Sequence, residues 1–377
     1  MTAKVVFVGN FGLWRKGTMG SRALPMAREL RAAGHDAVLV VPPWDAPDEA
    51  DTALRVWDVP VRNVPIRRGL AKHPGIVLDL LRGTLAERPD VVVAVKPKAY
   101  AGLLALVLRG VRVVVDHDDD EAAWSALAGD PAPIRTFVAW HERAALRRAD
   151  HVIVASRVLE EKVAGDCTYL PNATWHGAAG WVKGDRARGR SKLGLEPNAP
   201  VVMLYSRLFE FSVDALVATL RAIPAATFLF VGAGLYGEEA RLRAALGPEL
   251  LQRSIFAGWV PRDHLPDLLC AADVALVPMA DIPVNRARCS VKLLDLMLCG
   301  LPIVADAVGQ AREYLRDGET GRLVGPGDPA AMADAARALL GDRLEAGRLG
   351  DAAEAAARDV FTWSKQRGKL VKAVLGR

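Results

Sequence analysis

The chain has 377 residues, 51% of them hydrophobic and 25% charged, and carries a net charge of +5 at pH 7. This composition excludes a disordered or fibrous protein, and the length exceeds what one compact core accommodates, so two globular domains are predicted. The four cysteines are scattered and form no Cys-x-x-Cys pair, which argues against a zinc site and against a disulfide framework.

Targeting signals are not apparent. Met1 leads almost directly into a strand, and no apolar run is long enough to span a bilayer. We therefore expect a cytoplasmic protein, with the inner membrane surface as a second setting. No nucleic-acid-binding motif is present, so no nucleic-acid partner is expected. The basic and apolar cluster at residues 62–73 predicts either a peripheral membrane contact or a solvated loop and helix start. The oligomeric state is left open.

The first half of the chain alternates strands and helices, which predicts a parallel sheet covered by helices. The predicted strands are Lys4–Gly9, Asp36–Val41, Val91–Val95, Val111–Val115 and Val152–Ala155. The predicted helices include Ser21–Ala33, capped by Ser21 and ended by Gly34, then Ile76–Ala86 and Ile134–Arg148. The segment Thr168–Pro171 is expected to end the first domain.

The second half restarts the alternation after a stretch rich in Gly, Lys and Arg. Its predicted strands are Val201–Tyr205, Thr227–Val231, Ser254–Phe256, Val274–Val277 and Ile303–Ala305. The predicted organisation is a first α/β domain over residues 1–180, a linker over 181–200, a second α/β domain over 201–355 and a closing helix over 356–377. Two doubly wound domains in series predict a cleft at the carboxyl ends of the strands.

The segment Cys289–Ala305 reads as a helix start, an amphipathic helix, a glycine stop at Gly300 and a buried strand. Ser290 is a plausible N-cap, so the first-turn N–H groups favour an anion such as phosphate. Lys292 adds a positive charge there. Asp295 lies on the same helix face, and a carboxylate suits a ribose diol because it accepts two hydroxyl hydrogen bonds. The alternative is an ordinary crossover helix with a surface Lys292–Asp295 ion pair.

This segment resembles the donor-binding element of family 4 glycosyltransferases. Further segments in the family's order and spacing carry the resemblance: Phe230–Gly234, Phe256–Pro261, Ala271–Pro278, Val308–Tyr314, Asp317–Val324 and Gly325–Asp328. The resemblance covers the second half almost completely and the first half more loosely.

The resemblance implies the GT-B fold: two Rossmann-like doubly wound α/β domains, with a C-terminal helix that crosses back to the first. It implies a retaining, metal-independent transferase without a cofactor, which uses a UDP or GDP type sugar donor and a small-molecule, saccharide or lipid acceptor. The donor-binding residues implied are Arg207, Gly234, Val260, Ser290, Val291, Lys292, Asp295 and, from the glycine loop of domain one, Gly17 and Gly20. For Arg207 the alternative is a surface arginine at a strand end.

The chain departs from the family pattern at three places. The second basic residue expected after Arg207 is missing, since the stretch is Phe209–Ser212. The first glutamate of the family's pair falls on Ala287, and Asp281, Asn285, Arg286 or Arg288 are candidates to replace it. A histidine common after the third strand is replaced by Lys96. Lys96 or Lys98 is then expected to stabilise phosphate or an acceptor anion.

Domain-one chemistry is assigned to Lys96, His117 and Asp119 as catalytic candidates. The alternative for His117 is a surface loop histidine. The acidic run Asp116–Glu121 has three interpretations: a site for a hard cation, recognition of an acceptor, or a solvated loop that caps the next helix.

The predicted activity is transfer of a sugar from a nucleotide-diphosphate donor to an acceptor hydroxyl. Arg207, Lys292 and the helix N-terminus would stabilise the leaving diphosphate without a metal. A GT-B nucleotide-sugar epimerase is one alternative. A nucleotide-sugar-binding protein without turnover is the other, motivated by Ala287 and Lys96.

Overall fold

The computed structural model describes residues 2–174, 181–234 and 237–376, apart from the side chain of Ala71. These residues form two compact units. The first comprises the described residues up to Asn172, together with Ala287–Cys289 and the stretch from Trp363 onward. The second comprises the described residues from Ala173 to Arg286 and from Ser290 to Thr362.

The strands of the described residues are Lys4–Val8 (β1), Asp36–Val41 (β2), Ala53–Val56 (β3), Val59–Asn63 (β4), Val91–Val95 (β5), Arg112–His117 (β6), His151–Val154 (β7), Cys167–Tyr169 (β8), Val201–Tyr205 (β9), Thr227–Val231 (β10), Ser254–Gly258 (β11), Val274–Val277 (β12), Ile303–Asp306 (β13) and Arg322–Val324 (β14).

The α-helices are Leu24–Ala32 (α1), Lys72–Ala86 (α2), Ala99–Val107 (α3), Glu121–Leu127 (α4), Ala132–Arg148 (α5), Arg157–Glu160 (α6), Arg186–Lys192 (α7), Val213–Arg221 (α8), Glu238–Gln252 (α9), Leu265–Cys270 (α10), Pro283–Ala287 (α11), Val291–Leu298 (α12), Ala311–Tyr314 (α13), Pro329–Gly341 (α14), Arg343–Asp359 (α15) and Trp363–Leu375 (α16). A π-helical turn at Met19–Ala23 leads into α1, and short 3-10 turns lie at Pro47–Glu49 and Gly69–Ala71.

The sheet of the first unit has eight strands in the order β3-β4-β2-β1-β5-β6-β7-β8. All neighbours are parallel except β3 and β4. Its central strands are runs of valine and other apolar residues that are buried on both faces, as expected where helices cover both sides of a parallel sheet. The parallel sheet predicted for this half is confirmed.

The hairpin of β3 and β4 is absent from the sequence-based prediction. Its two turn residues, Trp57 and Asp58, both have positive φ, at 49° and 70°. A two-residue turn of this kind normally shows itself by Asn-Gly or Asp-Gly. The turn here uses a tryptophan and an aspartate, so the composition gave no signal.

The sheet of the second unit has six parallel strands in the order β11-β10-β9-β12-β13-β14. The core above it comes from the strands and from α8, α9, α14 and α15. Because the strands are parallel, the loops that follow β9, β10, β11, β12 and β13 all begin at one edge of the sheet. The shared direction of the strands therefore gathers the predicted donor residues at this edge.

The start of the first helix and the predicted linker both differ from the sequence-based predictions. Ser21 does not begin the first helix, because helical winding starts at Met19 and the Ser21 hydroxyl donates to the carbonyl of Gly17. The segment interpreted as a linker contains α7, which packs on α10. Arg188 and Lys192 of α7 pair there with Asp267 at 2.6 and 3.0 Å. These contacts are ionic, so apolar periodicity did not reveal the helix.

The closing helix α16 belongs to the first unit and packs on α1. Arg367 donates to Glu29 at 2.7 Å, and the Trp363 ring is completely buried beside the Arg22 guanidinium. Among the described residues, no helix combines the length and apolarity that crossing a bilayer requires.

Candidate functional site

The loop after β9 carries Arg207 and is shaped by the carboxylate of Glu210. One oxygen of Glu210 accepts from the Ser206 hydroxyl and from the Arg207 backbone N–H at 3.0 Å. The neighbouring β10 loop approaches closely: a Cβ on Gly232 would lie 2.1 Å from the Ser206 carbonyl oxygen. Glycine in the Phe230–Gly234 motif is therefore required by packing against the arginine loop.

The other oxygen of Glu210 lies 3.4 Å from the Lys292 ammonium. This contact joins the β9 loop to the first turn of α12, and Lys292 also lies 5.9 Å from the Tyr205 ring centre. Sequence reasoning noted the missing lysine at Phe209–Ser212 but not this carboxylate. A negative charge beside a lysine predicted to bind phosphate means that a diphosphate has to compete with Glu210.

Helix α12 begins as the sequence predicts. Ser290 is its N-cap by backbone conformation, and in the described structure its hydroxyl caps none of the first-turn N–H groups. Val291 and Lys292 are half-buried, whereas the following residues from Leu293 to Leu298 are buried against the core. The helix end that is predicted to attract phosphate therefore stands at the carboxyl edge of the second sheet.

Asp295 is buried, rather than lining a solvent-filled cleft. Its side chain is 5% exposed, and its nearest ionic partner is the Arg262 guanidinium at 3.8 Å. Burial raises the pKa of Asp295 to about 6, against a smaller opposite effect of Arg262 and Lys292. Burial, together with Asp295, also raises the pKa of Tyr205. The surface ion pair of Lys292 and Asp295 considered as an alternative is not the geometry found.

Arg262 is a residue that the motif search missed. It follows Pro261 in the loop after β11 and is largely exposed, with its guanidinium 5.9 Å from the Trp181 ring. Val260 in the same loop is half-buried, and Trp259 is exposed. The signal available in the sequence was an arginine directly after the Phe256–Pro261 motif. Arg207, Arg262 and Lys292 together surround the Tyr205–Asp295 pair with positive charge.

Gly234 also lies at this edge, and a Cβ there would meet the Glu238 carboxylate at 2.5 Å. Its predicted part in donor binding, like that of Val260, Ser290 and Val291, remains a prediction.

The position of the family's first glutamate, Ala287, is completely buried and belongs to the first unit. Its carbonyl accepts from the Ser156 hydroxyl at 2.7 Å. Of the candidate replacements, Asn285 is buried and donates to two backbone carbonyls, and Asp281 forms a surface pair with Arg286 at 2.6 Å. The fourth candidate, Arg288, lies over the ring of Trp124 at 5.7 Å.

In the first unit, Lys96 is buried among three carboxylates. Its ammonium lies 3.1 Å from Asp118, 2.5 Å from Asp119 and 3.3 Å from Glu121. The Lys96 backbone has a left-handed φ of 71°, which costs about 1 kcal/mol for a non-glycine residue. Strain of this size persists only where surrounding contacts impose it. Glu121 is also paired with Lys98.

The charges of this Lys96 cluster set the ionisation of its members. Burial alone would lower the pKa of Lys96, but the three carboxylates raise it well above its usual range. Burial raises the pKa of Asp118. At Asp119 burial acts in the same direction, but Lys96, Arg288 and Lys98 together outweigh it and lower the pKa. The carboxylate oxygens of Asp118, Asp119 and Glu121 lie within 4.8 Å of one another, a spacing that suits a hard cation. The Lys96 ammonium already supplies a cation there.

His117 is completely buried, so the surface-loop alternative is wrong. Its Nε2 lies 3.4 Å from the Glu142 carboxylate. Burial lowers the pKa of His117 to about 4 and raises the pKa of Glu142 to about 7. The imidazole is therefore neutral at pH 7. Its catalytic role stays a prediction, as do those of Lys96 and Asp119.

Sequence reasoning did not find the buried ion pair of Arg22 and Asp116. The guanidinium donates to both carboxylate oxygens at 2.8 and 2.6 Å and to Asn172 at 3.1 Å. This contact removes Asp116 from the solvated acidic run and makes it structural. The run therefore divides into a structural member, the Lys96 cluster and the α4 cap Asp120, which accepts from Ala123.

The glycine loop of the first unit is only partly explained by packing. A Cβ on Gly20 would lie 2.9 Å from the Leu13 carbonyl oxygen, and Gly17 has a φ of 87°. Packing therefore requires glycine at position 20, and backbone conformation favours it at position 17. Their predicted contact with the donor phosphates stays a prediction.

Two family descriptions match most of the chain. Residues 17–173 match "Glycosyl transferase 4-like domain", and residues 199–342 match "Glycosyl transferases group 1". A Mycolicibacterium smegmatis protein, "GDP-mannose-dependent alpha-(1-6)-phosphatidylinositol monomannoside mannosyltransferase", is 28% identical over 91% of both chains. The "D-inositol 3-phosphate glycosyltransferase" of Nocardia farcinica is 33% identical over 48% of this chain and 41% of its own.

Solved structures share the fold over almost the whole chain. Sucrose-phosphate synthase from Thermosynechococcus elongatus has a TM-score of 0.76 at 21% identity and 98% coverage of both chains. WaaG, a glycosyltransferase involved in lipopolysaccharide biosynthesis, has a TM-score of 0.72 at 17% identity, with 99% of this chain and 100% of its own covered. Both are GT-B proteins, and the predicted GT-B fold is confirmed.

The predicted activity is confirmed at the level of glycosyl transfer, and the epimerase alternative is not supported. The prediction of an enzyme, against a binding protein without turnover, is likewise supported by the named relatives. The two matched regions, the full-length relative and the shared fold agree, and the chain belongs to the family 4 glycosyltransferases.

Proposed function

We propose that the chain is a mannosyltransferase that moves mannose from GDP-mannose to an inositol-containing lipid of the phosphatidylinositol mannoside class. The observation that carries this proposal is the similarity to GDP-mannose-dependent relatives of that class along nearly the full chain, 28% in Mycolicibacterium smegmatis and 25% in Mycobacterium tuberculosis. Relatives named for inositol phosphate match about half of the chain. Inositol in both acceptors supports a polyhydroxylated acceptor ring.

The second unit binds the donor in this proposal. Arg207 contacts the diphosphate through a planar guanidinium, and Lys292 contributes a point charge beside the N-terminus of α12. Negative charge grows on the diphosphate as the bond to the sugar breaks. Cations that are fixed before the reaction stabilise this charge more in the transition state than in the ground state.

Glu210 and Asp295 position the donor-binding groups and the donor. Glu210 orders the Arg207 loop by accepting hydrogen bonds from the Ser206 hydroxyl and the Arg207 N–H. When the donor binds, its diphosphate replaces Glu210 as the ionic partner of Lys292. Asp295 accepts the ribose hydroxyls. Since its pKa is raised to about 6, it accepts best above that pH, where the carboxylate is ionised.

The first unit serves the acceptor. Asp119 is held ionised by Lys96 and is less buried than Asp118, so it is the carboxylate of the cluster best suited to accept acceptor hydroxyls. Transfer proceeds with retention of the anomeric configuration and without a metal, as in the family. The lipid acceptor places the reaction at the cytoplasmic surface of a membrane.

A donor and acceptor screen tests the function. Purified protein is incubated with radiolabelled GDP-mannose, UDP-glucose or ADP-glucose, each with phosphatidylinositol, phosphatidylinositol monomannoside or free inositol phosphate. The expected result is lipid-borne label from GDP-mannose only, α-linked by NMR of the product, and absent with Arg207→Ala. Transfer from a UDP sugar at a comparable rate would reject the donor, and label on free inositol phosphate only would reject the lipid acceptor.

A further inference from the structure

Helices α4 and α5 form a hairpin that extends past the carboxyl edge of the first sheet. The Glu142 side chain of α5 accepts from the Ala122 N–H at 2.9 Å and lies 3.4 Å from His117, the last residue of β6. The turn of α5 at Glu142 is therefore level with the strand ends. The last turn of α5 leads to the other edge, where Arg148 bonds to Leu108 before β7 begins. The residues of α5 before Glu142 thus rise about 15 Å beyond the strands at 1.5 Å per residue.

This raised half of α5 exposes large apolar side chains. Ile134 is 49% exposed, and Phe137 and Trp140 are each 54% exposed, while the spacing of three residues places them along one side of the helix. The rings of Phe137 and Trp140 lie 5.9 Å apart. Leu127, at the end of α4, is also exposed. We call Leu127, Ile134, Phe137 and Trp140 the α5 patch.

The charge around the α5 patch is positive. Arg135 and Arg143 are exposed on the same helix, and the only acidic residue of α5, Glu142, is buried. Aromatic and aliphatic side chains flanked by arginines suit the boundary of an anionic bilayer, where the rings enter the headgroup layer and the guanidinium groups meet lipid phosphates. A neutral protein partner would not account for the basic flank.

The position of the α5 patch also fits contact with an anionic bilayer. It lies at the edge of the first sheet that also carries the Lys96 cluster, because that cluster follows β5 and β6. The chain after β4, which ends at the same edge, carries the basic residues Arg67 and Arg68 and the fully exposed Leu70. A bilayer at this edge would present lipid headgroups to the proposed acceptor residues.

We propose that the α5 patch is the surface by which the protein docks on an anionic lipid bilayer. The proposal rests on the proposed function for its lipid acceptor, but it makes a separate claim about a surface. Phe137 and Trp140 insert at the headgroup level, and Arg135 and Arg143 add electrostatic attraction.

Vesicle co-sedimentation tests the surface directly. The full chain is mixed with vesicles of phosphatidylcholine alone or with a third of the lipid replaced by phosphatidylinositol. The probes are wild type, the double variant Phe137→Ser/Trp140→Ser, and the matched control Leu344→Ser/Val360→Ser. The control removes two apolar side chains of the second unit that are 87% and 59% exposed. We expect wild type and control to bind the anionic vesicles, and the Phe137/Trp140 variant to bind at least tenfold more weakly.

Charge is tested with Arg135→Gln/Arg143→Gln. Each arginine near an anionic surface is worth about a fivefold change in partitioning, so this variant should bind about 25-fold more weakly at low salt, with a smaller difference at high salt. Equal vesicle binding of wild type and the Phe137/Trp140 variant would overturn the proposal. So would absence of wild-type binding, or a dimer in sedimentation velocity that the Phe137/Trp140 substitutions convert to a monomer, because a second copy would then cover the patch.

A second readout separates this proposal from the proposed function. Slow hydrolysis of GDP-mannose in the absence of lipid should be the same in wild type and in the Phe137/Trp140 variant, because the patch lies outside the donor residues. Vesicle binding without any turnover of GDP-mannose would reject the proposed function and keep the docking surface. Turnover on a detergent-dispersed lipid acceptor without vesicle binding would reject the docking surface and keep the proposed function.

Discussion

Three cations and two carboxylates share the carboxyl edge of the second sheet, and the balance among them sets donor binding at the residue scale. Arg207, Lys292 and Arg262 are positive; Glu210 and Asp295 are negative and almost buried. A buried carboxylate is stable there only because the cations stand nearby. Substitution of a carboxylate in this group should therefore change affinity and stability in opposite directions, whereas loss of a cation should lower both.

Removal of either predicted phosphate-binding cation should weaken donor binding. Arg207→Ala or Lys292→Ala should each cost about 2–3 kcal/mol in the binding of GDP, since each removes a charge-assisted contact. Isothermal titration calorimetry measures the loss. Arg221→Ala, at an exposed arginine in the last turn of α8, serves as the matched control and should leave binding unchanged. Unaltered affinity in both test variants would remove the phosphate site from this edge.

Asp295→Asn should weaken GDP-mannose by about 1–3 kcal/mol, because an amide offers one acceptor oxygen to the ribose diol instead of two. A 2′,3′-dideoxyribose analogue should bind both proteins equally. For wild type, affinity for GDP-mannose should fall as pH drops through about 6, where Asp295 takes up a proton, and the variant should lack this step. Equal losses for the two nucleotides would mean that Asp295 does not touch the ribose.

The same substitution should stabilise the protein at neutral pH. Burial raises the folded-state pKa of Asp295 to about 6 from 3.8, so the folded state binds the proton more tightly than the unfolded state. Stability of wild type relative to Asp295→Asn therefore falls as pH rises from about 4 to above 6, by about 2–3 kcal/mol in total. Urea unfolding at pH 4 and pH 8 measures it. A less stable variant at pH 8 would show that the carboxylate is a structural partner of Arg262.

Lys96→Met should destabilise the first unit at neutral pH, because it leaves Asp118, Asp119 and Glu121 without their shared cation. Loss of one partner of a buried ionic cluster costs about 3–5 kcal/mol. The lowered pKa of Asp119 stabilises the fold above its unfolded-state value and is lost as pH falls through the folded-state value. The deficit should therefore persist down to about pH 4 and shrink below it. Denaturant unfolding of Lys96→Met and of the half-exposed control Lys98→Met compares the two, and a constant deficit across pH would contradict the ionic explanation.

At the scale of elements, the loop between β9 and α8 couples two motifs that are far apart in the chain. Glu210 binds its own loop at Ser206 and Arg207 and reaches Lys292 on α12, more than 80 positions later. The loop packs on Gly232 of the β10 loop, so the three loops move or stay together. The predicted donor elements are thus linked by one carboxylate, that of Glu210.

Glu210→Gln tests this coupling. The amide keeps an acceptor for Ser206 and the Arg207 N–H but removes the charge that attracts Lys292. Affinity for GDP should rise by about 1 kcal/mol, while the melting temperature falls slightly because a charge-assisted bond becomes neutral. Calorimetry and a thermal melt measure both changes. Weaker GDP binding would instead assign Glu210 the role of holding Lys292 in its binding position.

At the scale of the whole molecule, each unit carries its own polar cluster at the carboxyl edge of its own sheet. The first holds a lysine among carboxylates, and the second holds carboxylates among arginines and a lysine. Both clusters contain protein-borne cations, and in the first the Lys96 ammonium lies among carboxylates whose spacing would suit a metal ion. This distribution favours a reaction in which the protein itself neutralises the leaving group.

A chelator should therefore leave turnover nearly intact. EDTA followed by gel filtration should lower the rate of transfer from GDP-mannose by less than about twofold, since in the proposed function Arg207 and Lys292 neutralise the diphosphate. The Lys96→Met variant supplies the comparison, because it removes the ammonium group from among Asp118, Asp119 and Glu121. Activity of wild type that is lost with EDTA and restored by magnesium or manganese would place a metal in the reaction.

The sequence by itself determined the alternation of strands and helices, the two parallel sheets, the family and the start of α12 at Ser290. These depend on local period, buried valine runs and short motifs, which act within a few residues. It did not determine the Trp57–Asp58 hairpin, because an unusual turn pair took φ values that glycine normally supplies, nor α7, because ion pairs rather than an apolar stripe hold it.

Only the tertiary structure decided the state of the charged groups. Asp116 pairs with Arg22, Lys96 with three carboxylates, and Glu210 with Lys292, over separations of 94, up to 25 and 82 positions. Burial and the sign of a distant neighbour set each pKa, and neither is a property of the local sequence. The same holds for the α5 patch. Its apolar residues are exposed because the helix extends past the sheet that would have covered them.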